Sequence, residues 1–226
     1  MTSTIEKDII KEFGDGVIRS GSSVVDTNLL VMPVSPSLDV VLGGGIPEGS
    51  FVTFTGQPKC GKTTTSLHFA ANCQKKELGG ELCPEGRHVY FFNIEGRLKK
   101  RDLEGIPNLD LERFHVIGSE PGRILSAENY LSIAEKTINE VPGSVIILDS
   151  YSALCTEAEI TSSMDKMQRA DGAKLLAKFC RKIANVVPVN RNIVIGITHL
   201  MGNPTGYGAE FKEKSGQAVA YQVDVK

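Results

Sequence analysis

Six short runs of this chain are apolar almost throughout: FVTFT, HVYFFN, FHVIG, SVIILDS, NIVIGITH and, near the end, VAYQVDV. A strand with one wet face alternates apolar and polar residues. Runs that do not alternate suit strands covered on both faces, as in a parallel sheet packed between helices. Helical periodicity fills several of the intervals, at residues 62–77, 124–140 and 171–187. The last of these puts Leu175, Leu176, Phe179, Ile183 and Val187 on one face. This alternation predicts an α/β fold, a mostly parallel twisted sheet with helices on both faces. At 226 residues the chain is long enough to bury one such core.

Ahead of that pattern, TIEKDIIKEFG reads as a short amphipathic helix carrying Ile5, Ile9, Ile10 and Phe13, with Gly14 as its stop. A polar stretch to about residue 30 reads as a surface connector. The predicted organisation is therefore a helix and linker over residues 1–30 and a core over 31–226. The net charge of −2 gives no general basic character, so any nucleic-acid contact would have to come from a local patch. Five cysteines (60, 73, 83, 155 and 180) show neither a CxxC pair nor zinc-ligand spacing. Scattered thiols fit a reducing cell interior, and no apolar run approaches the roughly 18 residues of a membrane span. A cytoplasmic protein without a membrane partner is expected.

GQPKCGKTT, residues 56–64, directly follows the first apolar run and opens a helical pattern. Gly56, Gly61, Lys62 and Thr63 fit G-x-x-x-x-G-K-[ST] without a gap. Glycines let the backbone curl so that N–H groups converge on an anion, and a helix starting near Lys62 adds the positive end of its dipole. Lys62 supplies a point charge for the β- and γ-phosphates, and the Thr63 hydroxyl is suited to a magnesium ion. A nucleotide site is predicted here.

Such a loop needs an acid behind the metal and a group to orient the attacking water. Asp149 ends the run SVIILD and suits the first role, although a strand-end Asp also suits the cap of a following helix. Glu95 follows VYFFN and could accept the proton of that water. Alone it is an unspecific signal, because acids are common at strand ends. Together the three strand ends make a coherent ATPase.

The segments SPSLDVVLGGGIPEGSFVTFTGQPKCGKTT, VIILDSYSAL, AEITSSMDKMQRADGAKLLAKFCRKI and NIVIGITHLMGNPTGYGAEFKEKSGQAVAYQVDV, in that order, resemble the RecA/RadA recombinase family in its bacterial RecA or phage RecA-like branch. IIKEFGDGVIR is similar to the helix and linker that pack on a neighbouring subunit in that family's filaments. The resemblance implies a RecA-like P-loop ATPase core that uses ATP and Mg2+. It assigns nucleotide contacts to the loop from Gly56 through Gln57, Pro58, Lys59, Cys60, Gly61, Lys62 and Thr63 to Thr64. Thr63 and Asp149 would serve the metal, and Glu95 would be the catalytic base.

His199 stands where bacterial RecA has a glutamine that senses the γ-phosphate; as read from the residues alone it also suits a buried structural histidine. Residues 156–171 and 200–216 would form two DNA-binding loops, with Arg169, Arg181, Gly216 and Gln217 near the DNA backbone. For any one basic residue here, a solvated surface charge is the competing reading. The implied partners are single-stranded and double-stranded DNA and further copies of the chain in a helical filament. The implied function is ATP-dependent recombination and repair. A non-catalytic RecA-like paralog and a ring-forming RecA-core motor are the competing classes. In one stretch the sequence departs from the family: EGRLKKRDLEG lacks the proline and the adenine-stacking tyrosine that usually follow the acid. The last run stops at residue 226 inside an expected strand, which fits either a piece of a longer protein, the expected case, or an unusually minimal member of the family.

Overall fold

A computed structural model describes residues 4–163, 171–202, 211–213, 219 and 222–225. The chain divides into two compact units, Met1–Leu30 and Val31–Lys226. The first holds α1 (Thr4–Phe13), as the isoleucine spacing predicts, and a short second helix α2 (Gly21–Val25) inside the stretch read as a connector. The Ser20 hydroxyl accepts from the Ser23 N–H and caps α2, a local signal that the polarity of the segment concealed.

The larger unit opens with β1 (Val31–Met32), α3 (Pro36–Leu42) and β2 (Ile46–Pro47) and then enters the main sheet. Its strands are β3 (Phe51–Gly56), β4 (Val89–Asn93), β5 (Phe114–Ile117), β6 (Val145–Asp149) and β7 (Ile193–Gly202). All five pair in parallel, in the order β3-β7-β6-β4-β5. The α/β expectation holds, and five of the six apolar runs are these strands. The last three residues of β7, 200–202, pair antiparallel with β8 (Phe211–Glu213), so the ends of the second expected loop form a two-stranded ribbon. Over the sixth run the described residues differ from the expectation. Val219 is helical, Gln222 lies in a turn, and Val225 makes a single parallel bridge to Val52.

Helices cover both faces. The crossover helix α4 (Lys62–Cys73) connects β3 to β4 and buries Leu67, Phe69, Ala70 and Cys73. On the other face lie α6 (Ala127–Glu140) and α8 (Asp171–Ile183), with α9 (Val186–Val189) following. Ser126 and Asn129 cap α6 reciprocally, and Tyr130, Leu131, Ala134 and Ile138 form its buried stripe. The period-2 geometry of β6 sends Ile146 and Leu148 into the α6/α8 cluster and leaves Val145, Ile147 and Asp149 on the opposite face. Among the described residues no helix is long and apolar enough to cross a membrane.

The turn after β6 is wedged against β7 by one close approach. A Cβ on Gly196 would lie 1.9 Å from Tyr151 Cε2. Gly196→Ala is therefore expected to lower stability by about 1–3 kcal/mol through overpacking. Adding Tyr151→Leu to that variant should recover part of the loss. A urea titration checks both, and an unchanged midpoint for Gly196→Ala would show that the ring yields freely.

Candidate active site

Parallel pairing brings the carboxyl ends of β3, β7, β6 and β4 to one edge, where Gly56 is the register partner of His199 and Asn93 of Asp149. The chain jumps from β3 at one side of this sheet to β4 across two strands, and open α/β sheets bind ligands at such switch points. A cleft of about 520 Å³ opens there.

The loop between β3 and α4 forms one wall. Lys59 (φ 65°) and Gly61 (φ 93°) have left-handed backbone, which curls successive N–H groups toward a common point. Gly61 is also the N-cap of α4, and having no side chain it leaves the first-turn N–H groups without a side-chain cap. The Lys62 ammonium folds back over the loop, donating to the carbonyls of Gly56 (3.0 Å) and Gln57 (2.8 Å), with Cys60 Sγ at 3.8 Å. Pro58, Lys59, Thr63 and Thr64 line the cleft, while Gln57 and Cys60 are exposed on the same loop.

Thr63 Oγ1 donates to Asp149 Oδ2 at 2.7 Å. Burial pushes the Asp149 carboxyl above its ordinary value, and neighbouring Glu95 adds to that, against the Thr63 hydrogen bond and the positive charge nearby. Glu95 behaves in the opposite way. Burial raises it too, but hydrogen bonds outweigh that and hold it below the usual carboxylate range. Ser150 Oγ donates to Glu95 Oε1 at 2.6 Å, His199 Nε2 lies 2.7 Å from the same oxygen, and Arg97 Nη1 is 3.5 Å from Oε2. His199 is further fixed by its backbone N–H, which donates to Ser152 Oγ at 3.0 Å. Its Nδ1 is buried with no hydrogen-bond partner among the described residues.

Lys62, Thr63, Asp149, Glu95 and His199 are thus gathered around one cleft. Arg181 is not among them. It is exposed in the last turn of α8, near Ile183, which packs with Gly49 and Phe51 at the opposite edge of the sheet. Arg169, Gly216 and Gln217 lie outside the described residues. Sequence reasoning passed over Ser150 and Ser152, which position Glu95 and His199, and Asn93, whose side chain accepts from the N–H groups of Arg97 (3.0 Å) and Leu98 (3.3 Å). The available signal was adjacency: Ser150 follows Asp149, and Asn93 ends its strand. Among the described residues no three or more His, Cys, Asp or Glu side chains converge on a metal position. Thr63 and Asp149 instead offer hard oxygens, the donor type of a magnesium ion that keeps most of its water.

Residues 1–203 match the RecA N-terminal domain. The chain belongs to the RecA family. Its curated relatives include Protein RecA of Oleidesulfovibrio alaskensis, 29% identical over 99% of this chain and 60% of the relative. Protein RecA of Campylobacter hominis is 30% identical over 100% of this chain and 62% of its own length. Protein RecA of Clostridium botulinum is 31% identical, over 96% and 58% respectively. This RecA-family chain therefore spans about 60% of the length of the curated relatives it matches.

The two carboxylates make opposite demands on stability. Asp149 has its folded value raised, so its ionised form carries a penalty that is present at neutral pH and disappears below its unfolded value. Glu95 has its folded value lowered, so its contribution is present above the unfolded value and is lost as pH falls through the folded one. Without nucleotide at pH 7, Asp149→Asn is expected to raise the melting temperature and Glu95→Gln to lower it, each by about 2–4 °C. Both differences should shrink toward acid pH. Thermal scans at several pH values check this, and shifts of the same sign would break the electrostatic account.

Proposed function

We propose that this chain is the ATPase core of an ATP-dependent homologous recombinase that forms filaments on single-stranded DNA and exchanges strands with duplex DNA. The observation that carries the reading is the convergence of Lys62, Thr63, Asp149, Glu95 and His199 on one cleft in a RecA-family chain. The loop N–H groups and Lys62 would bind the triphosphate. Thr63 would hold the magnesium ion, with Asp149 behind it. The fit rests on the Thr63–Asp149 contact, two hard oxygens 2.7 Å apart, and on a half-buried carboxylate whose unfavourable charge a cation would offset. When bound, the ion supplies charge neutralisation on the phosphate oxygens.

Glu95 faces the same cleft and would take the proton of the attacking water. Three neighbours hold it: Ser150 and His199 on one oxygen and Arg97 on the other. His199 contacts Glu95 and directly precedes the part of β7 that pairs with β8, and so would link the nucleotide site to the ribbon beyond it. Arg169, Gly216 and Gln217 would contact the DNA backbone through charge and peptide N–H groups. Arg181 lies at the other edge of the sheet and has less support as a DNA contact.

Electron microscopy with single-stranded DNA and a slowly hydrolysed ATP analogue tests the proposal. Helical filaments are expected; rings would favour a motor, and absence of assembly a non-catalytic paralog. Glu95→Gln is expected to keep nucleotide binding and lose about 10²–10⁴-fold in hydrolysis. Wild-type turnover in that variant would move the base elsewhere. Arg169→Ala should weaken DNA binding uniformly across sequences and reduce the salt slope by about one unit. A sequence-dependent loss would argue against backbone recognition.

A further inference from the structure

Among the described residues, four lysine or arginine side chains line the cleft: Lys59 and Lys62 on the phosphate loop, Arg97 and Arg101 on the wall facing it. Lys62 is folded onto its own loop carbonyls, and Arg101, on α5 (Lys100–Glu104), has its Nε 3.6 Å from Asp102 Oδ1. Of the four, Arg97 is the one that pairs with Glu95, its Nη1 3.5 Å from Oε2. The backbone forces this placement. Gly96 is left-handed (φ 66°) and turns the chain back directly after Glu95, and Asn93 Oδ1 accepts from the Arg97 N–H at 3.0 Å. The side chain is not fixed in the same way. It is 83% exposed, and among the described residues its guanidinium makes no hydrogen bond or ion pair besides the one to Glu95. A single long, exposed ion pair contributes little to stability. Glu95 is in any case held by Ser150 at 2.6 Å and His199 at 2.7 Å. A planar cation with five donors is thus anchored at the acid end of the cleft, most of its donors free.

We propose that Arg97 is a catalytic residue of its own chain's nucleotide site, leaving Glu95 to bind the γ-phosphoryl group as that group passes to water. In this step the water oxygen bonds to the γ-phosphorus and the water proton goes to Glu95. The bond from phosphorus to the β–γ bridging oxygen breaks, and its electron pair leaves on ADP. Glu95 must lie within hydrogen-bond reach of that water, so the γ-phosphoryl oxygens come close to the carboxylate that Arg97 already touches. Negative charge on those oxygens draws the guanidinium, whose fork meets two of them at once. The exchange also favours the base. Arg97 is one of the groups that hold Glu95 below the usual carboxylate range, and its departure lets the carboxylate regain proton affinity. The proposal rests on the phosphate-loop reading, and its test separates the two.

ADP binding is measured with magnesium and single-stranded DNA, with and without aluminium fluoride, which fills the place of the phosphoryl group in transfer. Wild type should bind ADP, and the fluoride should tighten it by about 10²-fold or more. Lys62→Ala should weaken both complexes. Arg97→Ala should leave ADP within about twofold, lose the fluoride gain and slow single-turnover ATP hydrolysis by about 10³-fold, the lower end for an arginine finger. Arg97→Lys, which keeps the charge without the fork, should recover part of both. Arg97→Ala chains mixed with Lys62→Ala chains should stay inactive, because every site then lacks one of the two residues. Hydrolysis recovered in the mixture would put Arg97 on a neighbour's nucleotide and overturn the proposal. Equal losses for ADP with and without fluoride would make Arg97 a ground-state phosphate contact and overturn it as well. So would a retained fluoride gain in Arg97→Ala with the acid limb of the pH–rate profile moved upward, which would make Arg97 a positioning residue for Glu95. Wild type that bound ADP but gained nothing from the fluoride would leave the phosphate loop standing and end this proposal; wild type that bound no ADP would remove both.

Discussion

The arrangement of the site depends on the register of four parallel strands. Pairing of β3 with β7, β7 with β6 and β6 with β4 sets Gly56 beside His199 and Asn93 beside Asp149. A slip of one residue in β6 would turn Asp149 to the apolar face covered by α6 and α8, beside Tyr130 and without Thr63 as a partner, and would move Ile146 and Leu148 off that face. That slip is costly because it would desolvate the carboxylate and unpack side chains fitted to each face, Val145, Ile146, Ile147 and Leu148 all being fully buried. Core packing therefore holds the polar strand ends in place, and the chemistry at the edge follows from it.

Charges at the two edges of this sheet are used differently. At the edge opposite the cleft, Arg87 and Glu48 form a fully buried ion pair, Arg87 also donating to the carbonyls of Gly143 (2.9 Å) and Arg191 (3.0 Å). Arg191 reaches the other oxygen of Glu48 at 3.2 Å. A buried pair surrounded by partners of this kind is a structural tie, and removing one member would strand the other. At the cleft edge the acids are only partly matched. Asp149 is half-buried against one hydroxyl among the described residues, and Lys62 is satisfied by carbonyls of its own loop. Incompletely neutralised groups at a cleft can exchange these internal contacts for a ligand.

Glu95 and Asp149 show how one edge can set two carboxylates apart. Both are carried by adjacent strand ends and both are desolvated, yet hydrogen bonds reverse the sign for one of them. Ser150 and His199 converge on a single oxygen of Glu95, whereas among the described residues the Asp149 carboxylate accepts from Thr63 alone. Environments that push paired acids in opposite directions are the usual way to divide roles between them.

The phosphate loop was legible because its chemistry is local. Gly61 and Lys62 sit within a few residues of each other, and the loop, its preceding strand and α4 can be read from one contiguous segment. The five strands were legible for a similar reason, since burial on both faces leaves an unbroken apolar run. The helix α2 was not, because a serine cap in a polar stretch has no strong periodicity, and VAYQVDV has the apolar character of a strand although among its described residues only Val225 makes a bridge. Asp149 and Glu95 could be picked out as strand-end acids, but only the pairing of β6 with β4 and β7 brought them together with Thr63 and His199, and only that pairing revealed Ser150, Ser152 and Asn93 as their supports. Sequence determined the five parallel strands and the glycine-rich loop between β3 and α4, because those features depend on neighbours along the chain. The tertiary structure decided which side chains face one another across the cleft, because that depends on strand order and register between residues far apart in sequence.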